Sequence, residues 1–518
     1  MAETQVGKGL TVRERFRLFT PMVAFITIYM ALCAFNFGFD VGSFGGVQAM
    51  QPFAMKFGEW NEKKRVWALP SYLSSIMTAT PFIGKLIGAI ACGRVAERWG
   101  RKAAIMVLSI ISLVGVTLQT SATTAAQFTI GRIINFAMTG FCIVVVPIYQ
   151  AECAPKDLRG LINSTIQMII VFGQLVSSLV NFGTQHIPTD ASWRIPVGLQ
   201  FIVPVFLLAL LPFVPESPRW LLSKDRPEKA KQSLLRLRGS HASDDIIQAE
   251  IDGLCHATAN SGKGIWKEVF DVNNRRRTAV AIVAMFGQQI TGQAFTSQYS
   301  TIFYQQNGFV DQAFLFTVLA NVVSVVGTAM TWFIVDGFGR RPILLIGGFL
   351  MGAFLYIVAI ISTVPDPTLA AKNAMVASLT LYSCMYCVSW GPISYVVLGE
   401  TASARVKEKT SLLACCISIL TTFVTSFTLP YLLNPPYAAL GGKVGFIYGS
   451  ICFAFVVVTF FFIPELKGRS LEEVDQLFAM GIPLWKFKGT KTVPVEELAV
   501  EADKTDDIGK ASFKHVDD

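Results

Sequence analysis

Residues 36–47 read FNFGFDVGSFGG, and Asp40 is the only acid in the apolar run that begins near Pro21. A charged side chain in a membrane-spanning segment costs about 2.5–3.5 kcal/mol on insertion scales, so it needs a partner or a task. Arg132 lies inside another apolar run, deeper than an anchoring charge should be. Opposite charges at such depth can neutralise each other. An acid paired in one state and desolvated in another changes its proton affinity between them, as a proton carrier must. The plainer reading is a fixed ion pair between two helices. Carboxamides offer a second chemistry. Gln167 and Gln174 are seven apart and Gln289 and Gln293 four apart, so each pair shares a helix face, with Gln288 alongside. A carboxamide both donates and accepts, which suits neutral polyols. Trp390 can offer an apolar platform to a ring's C–H face, with Tyr395 nearby. Any one of these glutamines alone would serve equally as interhelical glue.

A third group of charges flanks the apolar runs. GRVAERWGRK (93–102) supplies Gly93, Arg94, Glu97, Arg98 and Arg101, and VDGFGRRP (335–342) supplies Asp336 and Arg340. YQAECAPKDLRG (149–160) sets Glu152 against Arg159, and LGETASARVKEK (398–409) sets Glu400 against Arg405. PESPRW (215–220) and PELKGRS (464–470) add Glu216 and Glu465. Gly93 is expected to permit close helix approach. Partly desolvated pairs at one membrane face would form a latch that breaks when that face opens. Plain anchoring is the alternative, but it leaves the acids unexplained.

The elements that must position these residues are membrane helices. The chain has 518 residues, 52% hydrophobic and only 15% charged, against about 25% charged in soluble domains. About twelve runs can span ~30 Å of hydrocarbon: near 21–39, 70–92, 103–120, 126–148, 163–183, 196–214, 278–300, 314–335, 342–362, 374–398, 409–431 and 444–463. Basic residues crowd the loops after even-numbered spans, while TSATTAAQ (120–127) and YQQNGFVDQ (304–312) hold none. The positive-inside rule then puts both termini in the cytoplasm; only NEKKR (61–65) disagrees. The net charge of +9 is therefore a topology signal and implies no nucleic acid. The charged motifs recur: Gly100 to Gly339 is 239 residues, Glu152 to Glu400 is 248 and Glu216 to Glu465 is 249. Such a repeat is a duplicated six-helix unit, the architecture of an alternating-access transporter with its site at mid-membrane. The expected fold is all-α: a cytoplasmic segment (1–20), a six-helix bundle (21–214), a linker with short helices (215–277), a second bundle (278–463) and a cytoplasmic tail (464–518).

Taken in order, GRVAERWGRK, GR (131–132), PIYQAECAPKDLRG, PESPRW, GQQITG (287–292), SWGPISY (389–395) and PELKGRSLEE resemble successive signatures of the sugar porter family of the major facilitator superfamily. The resemblance covers roughly residues 20–480. It implies sugar contacts at Gln167, Gln288, Gln289 and Trp390, a proton acceptor at Asp40 and its partner at Arg132. Phe136 and Met138 stand where that family often has glycine, Gln293 and Thr422 where it has asparagine, and Leu466 where it has threonine. The implied protein is no enzyme and needs neither metal nor other cofactor. It is expected to work as a plasma-membrane monomer that imports a hexose, α-glucoside or disaccharide with a proton. The alternatives are a facilitative sugar uniporter and a sugar-sensing receptor on the same fold.

Overall fold

The computed structural model describes residues 20–490, apart from 63–64, 155–158, 240–246, 249, 253–254, 256–263, 404 and 470. The segments 1–19 and 491–518, expected to be cytoplasmic, thus lie outside the described residues. Twelve membrane-length segments carry the fold. α1 is Pro21–Val47, α2 Ser71–Arg98, α3 Arg101–Thr120, α4 Ala125–Cys153, α5 Arg159–Thr184 and α6 Ala191–Phe213. α7 is Val272–Ile290, continued by Gln293–Gln298 and Ser300–Gln306. α8 is Ala313–Phe338, α9 Arg340–Ile361, α10 Leu369–Thr401, α11 Lys407–Leu433 and α12 Gly441–Phe462. Eleven of the described segments are long and apolar enough to cross a membrane. The other is α7, whose first turns carry Arg275, Arg276 and Arg277.

α1 runs eight residues past its expected end at 39 and so places Asp40 well inside the helix. Its glycines serve packing. A Cβ at Gly38 would stand 1.9 Å from the Ile170 carbonyl of α5, and one at Gly46 would stand 2.3 Å from Asn181 Nδ2. Gly84 of α2 meets Ile133 O of α4 in the same way, at 2.0 Å. Lipid gives helices no hydrophobic drive to associate, so such close backbone contact is what binds them. One core gathers Tyr29, Met30, Leu108, Phe141 and Tyr149 from the first six segments. A second gathers Met351, Leu355, Tyr382, Trp390 and Cys452 from the last six. Large apolar side chains such as Phe333 (82% exposed) point outward, as a lipid-facing surface requires.

The two halves meet where α2 packs on α11 and α5 on α8. Phe82, Phe136 and Ile419 form an apolar cluster across that seam. Hydrogen bonds between the halves sit toward the end opposite the charged motifs. There Gln48 Nε2 donates to Gln298 O (2.7 Å), Ser75 Oγ to Phe427 O (2.9 Å) and Gln305 Nε2 to Ala49 O (3.2 Å). A small antiparallel hairpin, Glu59–Asn61 with Val66–Ala68, joins α1 to α2 and pairs Trp60 with Trp67; periodicity over so few residues gave no sign of it. Short helices form at Pro227–Arg238 and Leu471–Ala479, where Leu recurs at helical spacing. The other linker helix expected, DDIIQAEIDGL (244–254), lies largely outside the described residues.

Candidate functional site

Asp40 is fully buried, and neither carboxylate oxygen accepts a hydrogen bond. The Arg132 guanidinium acts on it electrostatically, and the side-chain amides of Asn135 and Gln200 approach it without meeting full hydrogen-bond geometry. Arg132 instead donates from Nε to Met77 O (3.0 Å) and lies over two rings, 3.8 Å from Phe44 and 5.0 Å from Phe136. The sequence suggested that this acid and base neutralise one another. The structure puts them in one pocket but satisfies the cation with a carbonyl and two π faces. Around Asp40 runs a buried polar chain that the sequence reading missed. Asn36 Nδ2 donates to Ser112 Oγ (3.3 Å), Ser112 Oγ to Asn135 Oδ1 (3.1 Å) and Asn135 Nδ2 to Gln200 Oε1 (2.9 Å). Gln200 Nε2 then donates to Ser43 Oγ (3.1 Å), and Ser43 Oγ to the Asp40 carbonyl (3.1 Å). Isolated polar residues inside apolar runs were the available signal.

The glutamines divide by role. The amides of Gln167 and Gln174 are half-buried on α5, beside the stretch of α1 that carries Asp40. On α7, Gln288 is buried and donates to Gly391 O (2.6 Å), a carbonyl beside the interruption of α10 at Ser389. Half-buried Gln289 donates to Gln288 Oε1 (3.0 Å), and among the described residues no donor is bonded to its own Oε1. Gln293 starts the second piece of α7, just past Gly292, whose φ of +104° ends the first piece. Interrupted helices expose backbone groups at mid-membrane, where irregular chain is tolerated only beside protein or a cavity.

Trp390 corrects an expectation. It is wholly buried, donating from Nε1 to Leu344 O (3.2 Å) with its ring edge-on to Phe455. Gly287 and Gly348 are small where the indole passes: a Cβ at Gly287 would stand 2.5 Å from that ring. In this state the ring is core of the second half and offers no face to a sugar. Tyr395, 45% exposed, is the aromatic of that segment that remains accessible.

A family model described as Sugar (and other) transporter matches residues 26–478. The chain belongs to the sugar porter family of the major facilitator superfamily. Hexose transporter 2 of Kluyveromyces lactis is 30% identical over 90% of this chain and 85% of its own length. The low-affinity glucose transporter HXT3 of Saccharomyces cerevisiae is 30% identical over 90% of this chain and 83% of its own. Among solved structures, a partially occluded inward-open form of the xylose transporter XylE from E. coli aligns with TM-score 0.73. It is 22% identical and covers 87% of this chain and all of the XylE chain. This sugar porter is thus a multi-pass membrane transporter of twelve helices, not an enzyme.

The charged motifs of the porter pair differently from their spacing in sequence. Glu152 pairs with Arg101, at 2.6 and 2.8 Å. Glu400 pairs with Arg340, at 2.9 and 3.2 Å, instead of Arg405, which binds Glu268 of the linker at 2.9 Å. For Glu400 chain proximity suggested a different partner; Arg101 and Arg340 begin α3 and α9 and reach across to the ends of α4 and α10. Glu216 and Glu465 complete the pattern by capping those same helices. Glu216 accepts from the amides of Arg101 (2.9 Å) and Lys102 (3.2 Å), and Glu465 from those of Arg340 (3.1 Å) and Arg341 (3.0 Å). A carboxylate is favoured at a helix N-terminus. Burial nonetheless pushes the Glu216 carboxyl above its ordinary value, against the backbone amides that pull it down. Gly100 (φ +99°) and Gly339 (φ +89°) make both turns, and a Cβ on either would meet the capping carboxylate at 2.4 or 2.6 Å. Gly93 does not pack as expected: nothing lies within 4 Å of where its Cβ would be. Arg94, Glu97 and Arg98 are exposed, with Arg98 resting over the ring of Trp99. The side chains of Arg159 and Asp336 lie outside the described residues.

Replacing Gln289 with alanine is expected to raise the Michaelis constant for sugar about tenfold, the worth of one buried hydrogen bond lost to a ligand. Measured uptake kinetics check this, and an unchanged constant removes Gln289 from the site.

Proposed function

We propose that this sugar porter imports a hexose, or a related α-glucoside, together with a proton by alternating access. It would do so as a monomer in the plasma membrane, with both termini and the charged motif end in the cytoplasm. One observation carries the reading: a fully buried acid on α1 accepts no hydrogen bond yet shares its pocket with Arg132. A bare carboxylate there would suffer the full desolvation cost, whereas a carboxylic acid would suffer much less. This closed-off geometry suits the proton-loaded acid. A rearrangement that brings Arg132 or the Asn135 amide into contact would suit the ionised one. Binding the proton on one side and losing it on the other then couples its gradient to the sugar. Relatives named as hexose, glucose and galactose transporters support the hexose class. XylE, titled a proton:xylose symporter, supports the coupling.

The test is uptake of a panel of labelled sugars in a host lacking its own transporters, with and without an uncoupler. A hexose should accumulate above its external concentration, and the uncoupler should collapse that accumulation. Equilibration alone, indifferent to the uncoupler, would leave a facilitative carrier in which Asp40 is structural.

A further inference from the structure

Among the described residues, three side chains of the Asp, Glu, Lys and Arg types sit roughly two turns or more from both ends of the membrane segments: Asp40, Arg132 and Lys85. Lys85 is the deepest, fourteen residues from the start of α2 and thirteen from its end. At 1.5 Å per residue, about 20 Å separates it from either end, several times the length of a lysine side chain. It therefore cannot snorkel to a headgroup. Arg132 has a carbonyl and two rings, and Asp40 has Arg132 as its counter-charge. Among the described residues Lys85 has the ring of Phe37 as its one close partner, with Nζ 4.7 Å from its centroid. An ammonium holds its hydration more tightly than a guanidinium does, so a single ring is poor compensation.

The surroundings of Lys85 face the seam between the halves. Its electrostatic neighbours are Cys142 of α4 and Cys415 of α11, which belongs to the other half. Cys415 is also a neighbour of Tyr395, the accessible aromatic of α10. The side chain is half-buried. Among the described residues, one acid against two bases gives the middle of this membrane protein an excess positive charge, which is larger when Asp40 holds a proton. A substrate that brings its own carboxylate would remove that excess.

We propose that Lys85 receives the carboxylate of an acidic sugar, a hexuronate or an aldonate, as a substrate class of this porter. The proposal rests on the sugar-transport reading above and adds the charge of the substrate. The hydroxyls of such a sugar can use the same carboxamides as a neutral hexose. Its carboxylate would form a charge-assisted hydrogen bond with Nζ in a site shielded from bulk water.

The test compares uptake of labelled glucuronate and labelled glucose by the full-length porter and by Lys85→Met and Lys85→Arg. Surface levels of a fluorescent fusion normalise the rates. The parent should take up both sugars. Lys85→Met should raise the Michaelis constant for glucuronate at least about tenfold and that for glucose less than about twofold. Lys85→Arg should keep glucuronate uptake within about threefold of the parent, because the positive charge remains. Uptake of glucose but not glucuronate by the parent would overturn this proposal alone. A parent that moves neither would remove it together with the sugar reading. Equal losses for both sugars in Lys85→Met would make the residue structural. If that variant fails to reach the surface, Lys85→Arg and competition of glucose uptake by unlabelled glucuronate in the parent still decide the matter, and absence of competition overturns the proposal.

Discussion

Replacing Asp40 with asparagine is expected to bring the internal-to-external sugar ratio down to about one while exchange of labelled for unlabelled sugar persists. The size of the loss follows from the driving force. One charge moved inward across 100 mV releases about 2.3 kcal/mol, and each pH unit adds roughly 1.4. A proton per sugar then supports accumulation on the order of a hundredfold or more. Asparagine matches the neutral acid in shape but can neither release nor take up a proton, so the variant is fixed in the loaded form. Sugar can still bind and cross, but nothing ties its direction to the gradient. The cost to folding should be modest. The Asp40 oxygens accept no hydrogen bond, so none is broken by the change. Steady-state accumulation, counterflow and sugar-evoked proton uptake measured on one preparation separate the steps. Accumulation undiminished in the variant would end the proton role.

Much of this architecture is written in the chain in a form that elementary rules can read. The spans follow from apolar length, and the two halves from charged motifs that recur at offsets of 239 to 249 residues. What escaped depends on which side chain faces which. Arg101 lies 51 residues from Glu152 along the chain, yet a helix turn at Gly100 aims it at that acid. Trp390 has the composition of a sugar platform, but two glycines and the Leu344 carbonyl turn its ring into the core. Neither fact has a local signature. Asn135 and Gln200, 65 residues apart, meet only because α4 and α6 pack in the same half. Lys85 differs, since a lysine at the centre of an apolar run is visible in sequence. Its meaning, however, depends on which groups surround it, and among the described residues the fold brings Phe37, Cys142 and Cys415 to it.

The same pairings lead to the second large effect, which concerns movement more than binding. In the first half, Arg101 holds Glu152 of α4 and the Ala96 carbonyl of α2, while Glu216 caps the helix that Arg101 begins. In the second half, Arg340 holds Glu400 of α10 and the Val335 carbonyl of α8, with Glu465 as the cap. Each set ties four segments of one half together, so each half can rock as one body, as alternating access requires. The paired side chains are only 12 to 27% exposed, so removing one partner strands a mostly desolvated charge. Breaking a fully buried pair costs 3–5 kcal/mol; allowing for partial exposure, about 2 kcal/mol is expected here. Arg101→Ala and Arg340→Ala should each lower the maximal transport rate at least about tenfold at equal surface level, because a half that flexes transmits less of its motion. The Michaelis constant should stay within about twofold, since both arginines sit at helix ends, away from the glutamines proposed to hold the sugar. Arg340→Lys should fall between parent and alanine, because an ammonium cannot copy the two-nitrogen grip on Glu400. Exchanging the pair, Arg340→Glu with Glu400→Arg, should recover part of the rate lost in the single variants. A Michaelis constant that rises in step with the fall in rate would place these charges in binding, and an unchanged rate would reduce them to anchors.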